Sequence, residues 1–248
     1  MSRVADLSWP DVEAALARGA VALLPVGAAS KQHGPHLPMS TDWLTAEAVA
    51  ARVAERIDGL AWPTVGYGHY PAFLDYAGST SLPADVFAGV MEALLRDLAR
   101  AGAARVVILN TGISTIRPIE QAMELVDIDA RVAHLYRGER FIETKRAICR
   151  QERGEHADEA ETSVMLHLHP ERVSLARARA WTREVRPGRW TPKDPDSPSY
   201  SPQGVFGDPT PATAAKGARL VEAMIEDILR ELGPGDGVSL LPNGVDPP

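Results

Sequence analysis

The stretch VALLPVGAASKQHGPHLPMSTDWLTAEAVAARVAERI, residues 21–57, decides the fold. Its first six residues, Val21 to Val26, form an uninterrupted apolar run, which predicts a strand buried on both faces. A loop from Gly27 to Thr41 follows, and Asp42 begins a helix-period pattern that continues to Ile57. A buried strand, a loop and an amphipathic helix in this order are typical of a parallel sheet covered by helices.

The same alternation of short strands and longer helices extends along the rest of the chain. Turn residues and apolar periodicity place strands at 60–65, 105–109 and 131–135, and helices at 10–19, 84–101, 118–126, 140–150, 159–167 and 214–232. A Pro- and Gly-rich irregular stretch covers 187–211. We therefore predict one α/β domain over residues 1–232 with a mostly parallel sheet, and a flexible tail over 233–248.

Composition narrows the classes of partner. The chain has 248 residues, 26 Lys and Arg against 33 Asp and Glu, and a formal charge of −7. Nucleic acids and anionic membrane surfaces require a basic face, so this balance favours a small-molecule partner. The single cysteine, Cys149, cannot form an intrachain disulfide, and neither a signal-peptide pattern nor a membrane span is visible. We expect a cytoplasmic protein.

The loop after the first strand carries the first candidate cluster. Ligands of open α/β sheets bind at the carboxyl ends of the strands, and this loop holds Lys31, His33, His36 and Asp42 within twelve residues. A stable divalent-metal site needs three or more protein donors, so this loop alone does not make one. The alternative is a pair of histidines on the surface.

A second cluster lies in GEHADEAETSVML, before and within the helix at 159–167. Acidic residues in a first helical turn complement the helix dipole, which accounts for Asp158 and Glu159. His156 and Glu161 could instead point back toward the first loop if the helix starts near the sheet's edge. The sequence by itself does not show that the two clusters meet.

Four motifs in order carry a resemblance to a known family. They are LPVGAASKQHGPHLPMSTD, GSTSLP, HADEAETSVMLHLHPERV and GVFGDPTPATAAKGARL. The chain resembles the creatininase family over residues 8–232; that family includes creatinine amidohydrolases, pyrimidine deformylases and the mycofactocin-system peptidase. The resemblance implies a three-layer α/β/α sandwich, a homo-oligomer such as a hexamer, and hydrolysis of a cyclic or open C–N amide bond by two divalent metals and a bridging water.

Two metal ligands of the family are replaced in this chain. Lys31 stands where the family loop has a glutamate, although Gln32, His33, Gly34, Pro35 and His36 keep the family pattern. After the strand at 105–109, Asn110-Thr111-Gly112 replaces the family's Asn-Gly-His. By the resemblance, both losses fall on one of the two cations.

The remaining residues of the resemblance imply a reduced site. His33, Asp42 and Glu161 match family ligands and would hold one Zn, Mn or Fe ion. His156 matches a proton-transfer group, and Lys31 would stabilise an oxyanion. Alternatively no metal binds, and Lys31 pairs with Asp42 and Glu161 in acid/base chemistry. A carbamylated Lys31 that serves as a ligand is a third possibility.

The segment that would form one wall of the substrate pocket also differs from the family pattern. The run from Leu74 to Thr80 replaces the usual His-Phe-Pro-Gly-Thr. Trp190 in the irregular stretch and Trp181 shortly before it could form a lid or a subunit contact. We name six candidate substrate-binding residues: Gln32, His36, Tyr67, Tyr70, Asp75 and Tyr76. Packing and oligomer contacts are the alternative roles for this loop.

These observations favour a divergent creatininase-like enzyme that acts on an amide, lactam or related C–N bond of a small polar metabolite. The reaction is hydrolysis, or a repurposed step such as cyclisation or amide formation. The alternative is a catalytically inactive relative that binds a metabolite or a partner subunit.

Overall fold

The structure, a computed structural model, describes residues 2–151 and 153–233, so the tail predicted over 233–248 lies outside the described residues from 234 onward. The strands are β1 Val21–Val26, β2 Gly59–Ala61, β3 Arg105–Asn110 and β4 Asp129–His134. The helices are α1 Trp9–Ala17, α2 Thr41–Arg56, α3 Ala84–Arg100, α4 Ile116–Glu124, α5 Glu139–Ile148, α6 Glu159–Leu168 and α7 Ala214–Leu232.

The four strands form one parallel sheet in the order β2-β1-β3-β4. All six residues of β1 are buried, and five of the six in β3 are buried, because these two strands lie at the centre of the sheet. Leu23 is in register with Val107, and Leu24 with Ile108. The uninterrupted apolar runs of the sequence are therefore the two central strands.

Alternate residues of the central strands enter two separate apolar cores. Leu23 and Val107 pack with residues of α2, α6 and α7 on one face of the sheet. Leu24 and Ile108 pack with residues of α1, α3 and α4 on the other face. This alternation follows from the two-residue period of a strand. Helices thus cover both faces, which confirms the three-layer α/β/α sandwich.

Strand β2 is shorter than the predicted run over 60–65. It ends at Ala61, although Val65 still donates its N–H to the Pro25 carbonyl at 2.9 Å. Pro63 lies between these points and has no N–H, so it cannot continue the ladder of hydrogen bonds. The apolar pattern predicted a longer strand because apolar residues continue beyond the proline.

The carboxyl ends of β1 and β3 are adjacent and carry the loops that build the site. At the end of β3, Asn110 Oδ1 accepts the Gly112 N–H at 3.1 Å and the Thr115 hydroxyl at 2.8 Å. These bonds fold the loop 111–115 tightly against the strand. Among the described residues, no helix has both the length and the apolar character that a membrane crossing requires.

Candidate active site

A buried ion pair lies at the centre of the site. Lys31 Nζ lies 2.6 Å from Asp42 Oδ2, and their side chains are 8% and 0% exposed. Burial acts to raise the pKa of Asp42, but the charges of Lys31 and His33 outweigh it and hold that pKa well below its usual range. Two aromatic rings also face the Lys31 ammonium, with centroids 5.1 Å away for Phe73 and 5.7 Å for Tyr70.

His33 is oriented as metal-ligating histidines are. Its Nδ1 lies 2.9 Å from the Lys31 carbonyl oxygen, which can only accept, so Nδ1 carries a proton. In the neutral ring, Nε2 then presents a lone pair to Asp42 Oδ1 at 3.2 Å. Two acceptors this close require a cation between them, either a second ring proton or a metal ion.

His156 is fixed by the neighbouring Gln32. Its Nε2 lies 3.0 Å from the Gln32 carbonyl oxygen and 3.1 Å from the Gln32 side-chain Nε2; the shorter contact, to an atom that can only accept, favours a proton on Nε2 and a lone pair on Nδ1. The Gln32 side chain is held in turn, because Nε2 donates to the Gly204 carbonyl at 3.0 Å and Oε1 accepts the Gly34 N–H at 2.9 Å. Burial, reinforced by His33 and Lys31, lowers the pKa of His156 well below its usual value.

Glu161 lies in the first turn of α6. Asp158 caps this helix by accepting the N–H groups of Ala160 and Glu161 at 2.9 and 3.0 Å. Glu161 Oε2 accepts the N–H of Ala157 at 2.5 Å and lies 3.9 Å from His156 Nδ1. Burial raises the pKa of Glu161. The carboxylate therefore stands beside the lone pair of His156.

These residues fit one cation. Ligand atoms of His33, His156 and Glu161 all lie within 4.8 Å of one another, and all three residues are buried. Two carboxylates, Asp42 and Glu161, face a single ammonium, Lys31, so the further positive charge required at His33 Nε2, a ring proton or a metal ion, balances the second carboxylate. Two imidazole lone pairs and a carboxylate are a suitable donor set for a divalent transition metal.

Neighbouring side chains crowd the position of Gly112. A Cβ atom added at Gly112, the position at which the resemblance implies a family histidine, would lie 2.6 Å from Thr115 Oγ1 and 3.2 Å from Tyr70 Cε1. Tyr70 is 3% exposed, and burial raises the pKa of its phenol. Tyr70 and Thr115 thus occupy the space that a side chain at 112 would need.

Aromatic side chains cover the site. The rings of Phe73 and Trp190 lie 4.5 and 5.5 Å from the His156 ring, and 5.4 Å from each other. The backbone N–H of Trp190 donates to the Ala72 carbonyl at 2.8 Å. This bond joins the loop that carries Phe73 to the irregular stretch that carries Trp190. Phe73 is not among the site residues predicted from the sequence. The sequence feature that could have identified Phe73 is its position in the same loop as the candidate Tyr70, between β2 and α3.

The other candidate residues divide between the site and its surroundings. His36 is buried, and its Nε2 lies 2.9 Å from Thr162 Oγ1. Tyr67 is 63% exposed. Asp75 pairs with Arg189 at 2.5 Å. Tyr76 donates its hydroxyl to the Ser201 carbonyl at 2.6 Å. Of the six candidate substrate residues, Gln32, Asp75 and Tyr76 line one groove, whereas Tyr70 contacts Lys31 and neither His36 nor Tyr67 lines the groove.

Three comparisons place the chain among known proteins. Residues 5–232 match the family model "Creatininase: Creatinine amidohydrolase". The creatinine amidohydrolase of Pseudomonas putida is 31% identical, over 91% of this chain and 94% of its own. The mycofactocin precursor peptide peptidase of Mycobacterium ulcerans strain Agy99 is 30% identical, over 91% and 85%.

A solved structure, "Creatininase Mn", superposes with a TM-score of 0.81 at 28% identity, over 94% of this chain and 98% of that one. The match to the family model spans nearly all the described residues, and the relatives are matched over most of their own length. The chain belongs to the creatininase family of amidohydrolases.

Proposed function

We propose that this protein hydrolyses a C–N amide or lactam bond of a small polar substrate with one divalent cation, and that Lys31 replaces the second cation of its relatives. The observation that carries the proposal is the buried pair of Lys31 Nζ and Asp42 Oδ2 at 2.6 Å. A positive charge there balances the carboxylate without a metal. The relatives support the reaction class, since they are named for creatinine hydrolysis and for peptide cleavage.

His33 and Glu161 would hold the remaining cation, a Zn, Mn or Fe ion, with either Asp42 or His156 as the third ligand. The resemblance to the family favours Asp42, and proximity favours His156. Such a cation, when bound, polarises a carbonyl and lowers the pKa of a bound water.

The chain's own residues have separate roles in this proposal. Lys31 Nζ is held by Asp42 on one side and still has N–H groups to donate to the oxyanion that forms from the substrate carbonyl. With Asp42 as the third ligand, His156, neutral at pH 7, keeps its Nδ1 lone pair, accepts a proton there from the attacking water and returns it to the leaving nitrogen. Phe73 and Trp190 cover His156 and exclude bulk water.

The first test is metal content per subunit, measured by elemental mass spectrometry on protein purified without chelator. We expect about one equivalent. Glu161→Gln should lose it, and Glu155→Gln, a neighbouring carboxylate outside the cluster, should keep it. A metal content near zero in the unmodified protein would contradict the single-cation proposal and favour the metal-free chemistry of Lys31, His156 and the carboxylates.

The second test is turnover. The protein is incubated with creatinine, other lactams and short peptides, and release of the amine is followed by mass spectrometry. Hydrolysis that is lost in Glu161→Gln and retained in Glu155→Gln supports the proposal. Metal binding without turnover of any amide would instead favour the non-catalytic binding protein. We also propose a homo-oligomer, a hexamer by family resemblance, which sedimentation analysis tests.

A further inference from the structure

A groove of about 710 Å³ is lined by part of the loop between β1 and α2. Gln32, Gly34 and Pro35 of that loop form one wall. The other walls come from the segment with Asp75 and Tyr76, from the turn after α6, and from the irregular stretch. A volume of this size accommodates a molecule considerably larger than a single five-membered lactam ring.

The charged side chains of the groove are mostly cationic. Arg177, Arg179 and Lys193 line it, and Asp75 is the acidic residue among its lining. Asp75 is neutralised by Arg189, whose Nε and Nη2 lie 2.9 and 2.5 Å from the same carboxylate oxygen. The groove is therefore positive in a chain whose formal charge is −7.

None of these three cations has an acidic partner among the described residues. Over residues 2–151 and 153–233, neither Arg177 nor Lys193 forms an ion pair, whereas many exposed arginines elsewhere do, such as Arg96 with Glu92. Arg179 has no acidic partner there either, but its Nη1 donates to the carbonyls of Ala176 and Ala178 at 3.0 and 2.7 Å, which orients the guanidinium. An anionic ligand would supply the missing charge.

One residue connects the groove to the reacting groups. Gln32 lines the groove, and its Nε2 lies 3.1 Å from His156 Nε2. A substrate that extends along the groove therefore lies one side chain away from the proton-transfer histidine.

We propose that the groove binds an acidic group of the substrate, a carboxylate or a phosphate, and that the protein selects amides that carry such a group. Arg177 and Lys193 neutralise the acid, and Arg179 offers its remaining N–H groups as donors. The inference rests on the proposed amide hydrolysis for its biological meaning. Its test is a binding measurement, which does not depend on turnover.

The test compares three probes of similar size by isothermal titration calorimetry. Benzoylglycine carries a carboxylate, phenyl phosphate carries a phosphate, and benzoylglycinamide is the neutral isostere of the first. At low salt we expect at least one anionic probe to bind about ten times more tightly than the neutral amide, because the unpaired cations of the groove contribute. A rise in ionic strength should weaken that preference, since the groove is open to solvent.

Variants assign the effect to the groove. Arg177→Ala and Lys193→Ala should each weaken the favoured anion about three- to fivefold and leave the neutral amide unchanged. Both residues are exposed, so we expect the variants to fold. Arg146→Ala, an exposed cation on α5 that does not line the groove, should bind the anion as the unmodified protein does.

The outcomes separate the two proposals. Tighter binding of benzoylglycine identifies a carboxylate site, and tighter binding of phenyl phosphate identifies a phosphate site. Equal or absent binding of all three probes overturns the groove proposal, as does an equal loss in Arg146→Ala. If the anionic preference is present but no amide is hydrolysed, the groove proposal stands and the proposed function fails.

Discussion

Lys31 is the residue on which the proposed single-cation site depends. Sequence and family resemblance predicted that it replaces a ligand, but only the folded chain shows the 2.6 Å contact with Asp42 and the two aromatic rings around the ammonium. Such long-range contacts could not be derived from spacing, because Tyr70 and Phe73 come from a different loop. A single substitution at Lys31 can therefore test whether its charge or the loss of a ligand at this position determines the metal content.

Lys31→Glu should raise the metal content per subunit. It removes an ammonium that repels cations, frees Asp42 Oδ2 and adds a carboxylate ligand. Lys31→Met is the matched control, because it removes the charge without adding a ligand. Elemental mass spectrometry of the two variants should give a higher value for Lys31→Glu; equal values would contradict a ligand position at residue 31. Gly112 supplies no ligand, which limits the gain.

Position 204 requires a glycine because the Gln32 side chain lies against it. Its φ is +68°, and a Cβ atom there would lie 2.0 Å from Gln32 Oε1. We expect Gly204→Ala to lower the free energy of unfolding by about 2 kcal/mol or more and to reduce kcat, since Gln32 orients His156.

Gly89 provides the control for this prediction. It lies exposed on α3 with no atom near a built Cβ, so Gly89→Ala should stabilise the protein by about 0.5–1 kcal/mol. Urea unfolding and initial rates measure both effects. If Gly204→Ala is as stable and as active as the unmodified protein, the close packing of Gln32 is not essential.

At the scale of elements, apolar periodicity predicted the fold well. The predicted helix over 214–232 coincides with α7 Ala214–Leu232, and the run at 21–26 is β1. Local breakers explain the differences. Pro63 ends β2 early, and α4 begins at Ile116, because Pro118 is tolerated in a first helical turn. The course of the irregular stretch depends on packing, which no local pattern reports.

Helix α6 carries Glu161, and a buried network fixes its first turn. Glu159, fully buried, accepts the N–H groups of Arg150 and Gln151 at 2.7 and 2.9 Å and pairs with Lys216 of α7. From the sequence, the position of Glu159 was explained only by the favourable interaction of its charge with the helix dipole. Its contacts show that it also ties α6 to α7 and to the segment after α5.

Lys216→Met should therefore lower the free energy of unfolding by about 2–4 kcal/mol, because it leaves the Glu159 charge buried without its cation. Adding Glu159→Gln should restore part of this loss, since the uncompensated charge is removed. Arg219→Met on the same helix is the control, with a change within about 0.5 kcal/mol. Urea unfolding checks all three. An equal loss in Lys216→Met and Arg219→Met would show that the pair contributes little.

At the scale of the whole molecule, burial of neutral histidines links stability to pH. His36 is 1% exposed, and Nδ1 has no hydrogen-bond partner among the described residues. Burial, with a smaller contribution from His33, lowers the pKa of His36 from 6.5 to about 4. Between these values the unfolded chain binds a proton that the folded chain does not, so folding stability must fall as pH decreases.

We expect this residue to account for up to about 3 kcal/mol of the stability that is lost between pH 7 and pH 4. His36→Gln keeps a polar partner for Thr162 and removes the titration, so its stability should fall less steeply over that interval. The measurement is urea unfolding at half-unit steps of pH for both proteins. Carboxylates and His156 titrate in both and cancel in the comparison, so parallel curves would mean that His36 is protonated equally in the folded and unfolded chains.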